Sequence, residues 1–485
     1  MGNRAWCQRP IDRAPSSSAS PQGVFMDIGE SLPLWSIVPF VGMLLSIAIF
    51  PLVKSEWWEK HQLHTALFWS VLFLVPFAVF YGLGEAAYQF LEIIVLDYVP
   101  FIVLLFGLFV VAGGIHIKGT IAGTTKNNVI LLAIGTILSS WIGTTGAAML
   151  LIRPVLRANS WRRNKTHIVV FFIFLVANIG GCLTPIGDPP LFLGYLRGVP
   201  FFWTLQHIWP LLLVNTAVLL VVFALLDRHF VKKEDREGQD ALDLEREATN
   251  RVPIRIEGAH NLVFLAMIIL AVILNGAIPQ AEAFLDPTTG LVFGVSIHEH
   301  IHLGCNYFLQ IALILLAAYL SMRTTKREIR TRNDFEWATI AEVAKLFIGI
   351  FITMIPALAL LRANGASLGL DTPVQMFWST GLLSSFLDNS PTYVVFLTAA
   401  GALDYGGADA VLTTAGAIAP ALLLAISAGA VFMGAITYIG NAPNFMVKSI
   451  AERSGVKMPS FFGYMGWSCA ILIPLFVLDT VLFFL

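Results

Sequence analysis

The chain has 485 residues, 57% hydrophobic and 13% charged, with a formal net charge of −1 and a mean hydropathy of +0.76. An average soluble domain carries about 25% charged residues, so the composition excludes a soluble enzyme and describes an all-α polytopic membrane protein whose first partner is the lipid bilayer. The balanced charge gives no case for nucleic acid, and Cys7, Cys182, Cys305 and Cys469 lack metal or CxxC spacing, so free thiols are expected.

Residues 1–25 are rich in Ser, Pro and Arg and lack the apolar core of a signal peptide. They are expected to be a disordered extension, with translation starting at Met26. A helix crosses the hydrocarbon core with about 20 mostly apolar residues. By that measure about ten spans follow, at 34–53, 66–83, 99–114, 168–183, 208–226, 261–277, 307–320, 344–361, 415–435 and 462–485. Two more apolar stretches, 129–152 and 374–397, carry a polar kink near the middle and are expected to be re-entrant hairpins. The chain thus divides into a first half (26–226), a charged linker (227–260) and a second half (261–485). The simplest reading of the linker is a solvated connector.

The two halves share a motif. Ser139-Ser140-Trp141-Ile142-Gly143-Thr144-Thr145-Gly146 precedes Thr184-Pro185-Ile186-Gly187-Asp188-Pro189-Pro190, and Ser384-Ser385-Phe386-Leu387-Asp388-Asn389-Ser390-Pro391 precedes Thr437-Tyr438-Ile439-Gly440-Asn441-Ala442-Pro443. Proline in a helix interior costs about 3 kcal/mol, so each motif must interrupt a helix. Interrupted backbone at membrane depth is tolerated where protein or a wet cavity satisfies it, and paired interruptions mark transporter sites.

Basic residues concentrate in cytoplasmic loops. Arg153, Arg157, Arg162, Arg163 and Lys165 follow the first hairpin, whereas Asp404 and Asp409 follow the second, so the hairpins should open to opposite sides and the repeat should be inverted. The acidic segment 81–100, with Glu85, Glu92 and Asp97, is then expected outside. Broken helices are expected at 168–198 and 415–450.

Thr144, Thr145, Ser140, Asn389, Ser390 and Ser385 in the hairpins, with Asn178, Thr184, Gly187, Thr437, Gly440 and Asn441 in the broken helices, supply side-chain or backbone oxygens to an ion or small substrate. A hard cation takes oxygen ligands of this kind, and Asp388, Asn389 and Thr144 form the candidate sodium set. Asp388 and Asp188 are the decisive residues, because an intramembrane carboxylate is expensive and marks an ion or proton pathway. Asp is also a favoured N-cap. Capping is expected of Asp188, before Pro189-Pro190, more than of Asp388.

Two other features invite weaker readings. His298-Glu299-His300-Ile301-His302 has a metal-tract composition but falls in an external loop, where an incidental role is expected. Glu342 and Lys345 lie three residues apart, which predicts an interfacial ion pair. An intramembrane hydrolase would need a nucleophile–base pair or a metal set within the spans; no enzymatic activity is expected.

The pairing of Ser-x-x-Asp-Asn-x-Pro with Thr-x-Ile-Gly-Asp-Pro-Pro resembles the ion transporter superfamily, which includes NhaD-type sodium/proton antiporters, ArsB-type arsenite permeases, citrate transporters and dicarboxylate symporters. The likeness is nearest to bacterial sodium:proton antiporters and citrate transporters. It implies a homodimer in a bacterial inner membrane, with elevator-like movement of the hairpin-bearing part, sodium and protons as transported or coupling ions, and no cofactor. In the dicarboxylate branch the hairpins carry a Ser-Asn-Thr triplet, where this chain has Gly143-Thr144-Thr145 and Asp388-Asn389-Ser390. With no Lys or Arg in the motifs, sodium/proton antiport is the expected function, and cation-coupled citrate, dicarboxylate or arsenite transport the alternative.

Overall fold

The computed structural model describes residues 28–119, 121–236, 253–298 and 301–485. The extension 1–25 with Cys7, and the expected start at Met26, lie outside the described residues.

Helices α1 (Val38–Val53) and α2 (Ser55–Tyr81) pack side by side. Gly82, at φ +95°, ends α2, and α3 (Leu83–Glu92) passes through a π-helical stretch, Ile93–Tyr98, into α4 (Val99–Ala112). Pro100 lacks the N–H that would bond one turn back, so the ladder changes register there. The acidic segment between the expected spans 66–83 and 99–114 is therefore helical. Asp97 is kept inside it by an ion pair with Arg197 at 2.9 Å.

Next come α5 (Thr125–Ile142) and α6 (Thr144–Ala158), a hairpin broken at Gly143, whose φ of +79° few side-chain-bearing residues adopt. Helix α7 (Thr166–Leu175) stops early and gives way to a 3₁₀ segment, Ile179–Leu183, and the short α8 (Pro189–Leu196). Helix α9 (Trp203–Arg236) continues ten residues past the expected span end at 226. Asp227, the expected first residue of a solvated linker, is buried: it accepts from Arg162 Nη1 and lies 2.8 Å from His167 Nε2. This triad ties α9 to the start of α7. A charge removed from water requires such partners.

The second half begins with α10 (Asn261–Ala277), followed by α11 (Cys305–Thr324), α12 (Arg327–Arg332) and α13 (Trp337–Asn364). A second hairpin, α14 (Pro373–Phe386) and α15 (Asn389–Gly401), breaks at Leu387–Asp388. Helix α16 (Pro420–Met433), a 3₁₀ turn at Gly434–Ile436, α17 (Ala442–Arg453) and α18 (Phe461–Asp479) complete the chain. Contrary to a purely helical expectation, three short antiparallel strand pairs among the described residues join loops: β1 (His116–Lys118) with β2 (Arg255–Glu257), β3 (Gly294–His298) with β4 (Ile301–Gly304), and β5 (Val411–Thr413) with β6 (Gly416–Ile418).

Nine helical segments among the described residues are long and apolar enough to cross a membrane. The expected tenth, 415–435, is shorter because residues 416–418 pair as strand β6 and Pro420 starts the helix, leaving an apolar helix over Pro420–Ile436. The outer helices expose apolar side chains such as Phe68, Val79 and Val221, whereas α7 is buried along nearly its whole length. Apolar exposure of this extent suits lipid contact.

Candidate functional site

The two broken segments are built by the same hydrogen bonds in both halves. Ser140 Oγ donates to Gly180 O, and Ser385 Oγ donates to Met433 O at 3.0 Å. Thr184 Oγ1 donates to Ser140 O, and Thr437 Oγ1 donates to Ser385 O. Each hydroxyl thus supplies a partner to backbone that a broken helix leaves unpaired. Gly187 N donates to Thr184 O at 3.0 Å, and Gly440 N donates to Thr437 Oγ1 at 3.1 Å. Gly187 O in turn accepts from Thr144 N at 2.8 Å, tying the first hairpin tip to the first break.

These staples bring four helix beginnings to one point. Thr144 and Asn389 open α6 and α15, while Asp188 and Asn441 stand immediately before α8 and α17. Thr144 Oγ1 donates to Asp188 Oδ1 at 2.9 Å, Asn441 Nδ2 donates to the same oxygen at 3.1 Å, and Asn389 Nδ2 donates to Oδ2 at 2.6 Å. All four side chains are buried. Among the described residues no Lys or Arg touches the carboxylate; its partners are one hydroxyl and two amides from both halves of the chain. Each helix start carries roughly +0.5 of an elementary charge, so four converging starts supply positive potential without a basic side chain.

A model of the family described as "Putative citrate transport" matches residues 29–484. The chain belongs to this family. It is accordingly a multi-pass membrane protein with a transporter fold, and a secondary transporter. No curated protein matches it.

In this member of the citrate transport family, the predicted site residues fall into two groups. Thr144, Asn389, Asn441 and Asp188 meet, and Asn178 joins their edge: Asn441 Nδ2 lies 3.3 Å from Asn178 Oδ1. Ser140, Ser385, Thr184, Thr437, Gly187 and Gly440 hold the breaks instead, bonded to backbone or, for Gly440 N, to Thr437 Oγ1. Thr145 does not reach Asp188; it lines a cavity of about 70 Å³ beside the first hairpin tip, walled by Leu105, Leu108 and Phe109 of α4 and Ile340 and Val343 of α13.

The two aspartates exchange the roles expected of them. Asp388 is the cap: its Oδ1 accepts from Ser390 N at 2.9 Å. Asp188 caps nothing, because Pro189 and Pro190 have no N–H and Leu191 N bonds to Asp188 O at 3.1 Å. Its carboxylate is therefore free to face the other helix starts. The candidate sodium set does not meet as a group of three, since Thr144 and Asn389 turn to Asp188 while Asp388 caps α15, with Ser390 Oγ 3.3 Å from Asn389 Oδ1. Asn caps a helix as well as Asp does, and Ala does not. Asp388→Asn should accordingly keep the thermal midpoint of the detergent-solubilised protein, whereas Asp388→Ala should lose about 1 kcal/mol; a lowered midpoint for the Asn variant would mean that the charge holds α15.

Sequence reasoning passed over Asn444, which accepts from Asn178 Nδ2 at 2.6 Å and donates to Gly434 O and Thr437 O. An amide one turn into α17, just after an Asn-x-Pro break, was the available signal. It also passed over Asp479, buried in α18 and bonded to Asn215 Nδ2 at 2.8 Å. Among the described residues no group of His, Cys, Asp or Glu could hold a metal. His302 is occupied structurally, 2.6 Å from Val292 O and 3.0 Å from Ser296 Oγ, while residues 299–300 lie outside the described residues. Cys182, Cys305 and Cys469 are free thiols. Glu342 accepts from Gln62 Nε2 at 2.5 Å in place of the expected pairing with Lys345.

Proposed function

We propose that the protein moves a citrate-like carboxylate together with sodium ions or protons, by alternating access around Asp188. The observation that carries the reading is the Asp188 centre: a buried carboxylate held by neutral donors at four converging helix starts. A polycarboxylate cannot approach Asp188 and Asp388 unaccompanied, since like charges at short range repel strongly. Cations would offset that repulsion, and Thr144, Asn389, Asp188 and Asp388 offer hard oxygen ligands for one. The family match favours a carboxylate as the substrate.

An inverted repeat is part of the same proposal. Helix α6 of the first hairpin packs on α17 of the second break, and α15 of the second hairpin packs on α8 of the first. The α6 and α17 ends carry Arg157 and Arg453; the α8 end meets the loop after α15, with Thr414 N donating to Arg197 O at 2.8 Å and Asp404 and Asp409 nearby in sequence. By the basic-residue rule the α6–α17 end faces the cytoplasm. The 70 Å³ cavity at the hairpin tip has room for about two waters and none for a tricarboxylate, so substrate binding requires the hairpin-bearing part to move against α4 and α13. A homodimer in a bacterial inner membrane completes the reading.

A second reading, sodium/proton antiport, draws on the same buried carboxylate without a basic partner. Proteoliposomes separate the two. Labelled citrate should accumulate when an inward sodium or proton gradient is imposed. Cation-driven movement of a trapped pH dye without citrate accumulation would replace the proposal with antiport.

A further inference from the structure

A second cavity, of about 340 Å³, lies at the far ends of α6 and α17. Arg153, Arg157, Lys165, Arg453, Ser160 and Asp334 line it, among others. The cations come from three separate segments, yet one carboxylate faces them.

Three features of this cluster are unfavourable as they stand. Arg153 and Arg157 lie four apart on α6, where like charges destabilise a helix. Lys165 stands at the N-cap of α7, the positive end of that helix dipole. Arg153 gives its Nη2 to Asp334 at 2.7 Å, but its Nη1 is buried with no hydrogen-bond partner. Arg157 and Arg453 sit in the last turns of their helices, where the dipole favours cations, Arg157 also gives its Nη2 to Ile117 O at 2.7 Å, and the basic-residue rule accounts for cations at this end in general; none of these supplies a partner for the buried Arg153 Nη1. A bound anion would offset all three features. A cleft lined by one sign of charge also concentrates counter-ions of the other.

Helices α6 and α17 begin at Thr144 and beside Asn441, against Asp188, and end at this cavity. At 1.5 Å per residue, the 15 residues of α6 span about 22 Å. We infer that the cavity is an anion-docking site, taking a small molecule with two or more carboxylates at the basic end of the helices that lead to Asp188. Arg guanidinium forks suit carboxylates because they can bond both oxygens at once. The inference rests on the carboxylate-transport reading for its choice of ligand.

Titration of citrate into the full-length protein in lipid-free detergent at low salt tests it. Wild type should bind with an affinity that falls as salt is added. Arg157→Gln with Arg453→Gln, both exposed positions, should bind roughly tenfold more weakly, as expected for two solvent-screened charges, while eluting as a monodisperse species. Acetate should bind much more weakly than citrate. Unchanged citrate affinity in the double variant would overturn the inference, as would displacement of citrate by micellar phosphatidylglycerol at low mole fraction, which would assign the cavity to a lipid headgroup. Docking lost in the double variant while wild-type proteoliposomes transport no citrate would leave the cavity standing and remove the transport reading.

Discussion

Asp188→Asn is expected to cut transport severely while the protein stays folded. Both carboxylate oxygens accept, Oδ1 from Thr144 and Asn441 and Oδ2 from Asn389. An amide can present one oxygen, so its NH₂ must face a donor. Turned toward Asn389, it leaves that amide unpaired; turned the other way, it opposes both Thr144 and Asn441. A buried donor left without a partner costs about 1–3 kcal/mol, or roughly 5- to 150-fold in any equilibrium that depends on it. Loss of the negative charge adds to this, because the four helix starts would then face a neutral centre and a cation would lose its charged ligand. Initial uptake into proteoliposomes should therefore fall at least about 30-fold, with the elution profile unchanged. Wild-type rates in this variant would remove Asp188 from the transport cycle. Thr144→Ala takes away one of three bonds and keeps the charge, so a smaller loss is expected.

The spans were legible because hydropathy over about 20 residues responds directly to the solvent, and Gly143, Pro391, Pro185 and Pro189 marked the breaks through backbone chemistry alone. What composition obscured was charge inside helices. Asp97 read as part of a loop because its partner, Arg197, is 100 residues away; Asp227 read as linker because Arg162 and His167 lie 65 and 60 residues before it. The candidate site was legible as a set of residues and not as a geometry. A hydroxyl in a broken helix can face an ion or a carbonyl. In Ser140 and Thr184 the carbonyl wins, since unpaired backbone in the interior is costly. The exchanged roles of Asp188 and Asp388 were only half legible: a cap needs an N–H two or three residues on, Pro190 has none, and Leu191 N is taken by Asp188 O, which only the structure shows.

Gly187→Ala should disable the protein more severely than its size suggests. An alanine Cβ there would lie 2.2 Å from Gly181 O and 2.9 Å from Ser140 Cα, both backbone atoms that cannot rotate away. Relief requires the 3₁₀ segment and the end of α5 to separate, and forced repacking of this kind costs about 1–3 kcal/mol. The displacement would not stay local. Gly187 O holds Thr144 N, and Thr144 holds Asp188, so widening the break moves a donor off the carboxylate. A shift of about 1 Å at a functional centre can cost 100-fold in rate. In the second copy a Cβ at Gly440 would sit 2.6 Å from Gly434 O and 2.8 Å from Ser384 O. Gly440→Ala should therefore lower the thermal midpoint too, by less, and disturb Asn441 instead of Thr144. Gly84, with nothing within 4 Å of its would-be Cβ, serves as the control: at the second position of α3, alanine there should keep wild-type uptake and leave the thermal midpoint unchanged or slightly raised. Equal midpoints and uptake for Gly84→Ala and Gly187→Ala would mean that the break has slack. The backbone staples shared by the two halves would then not be what holds the four helix starts around Asp188.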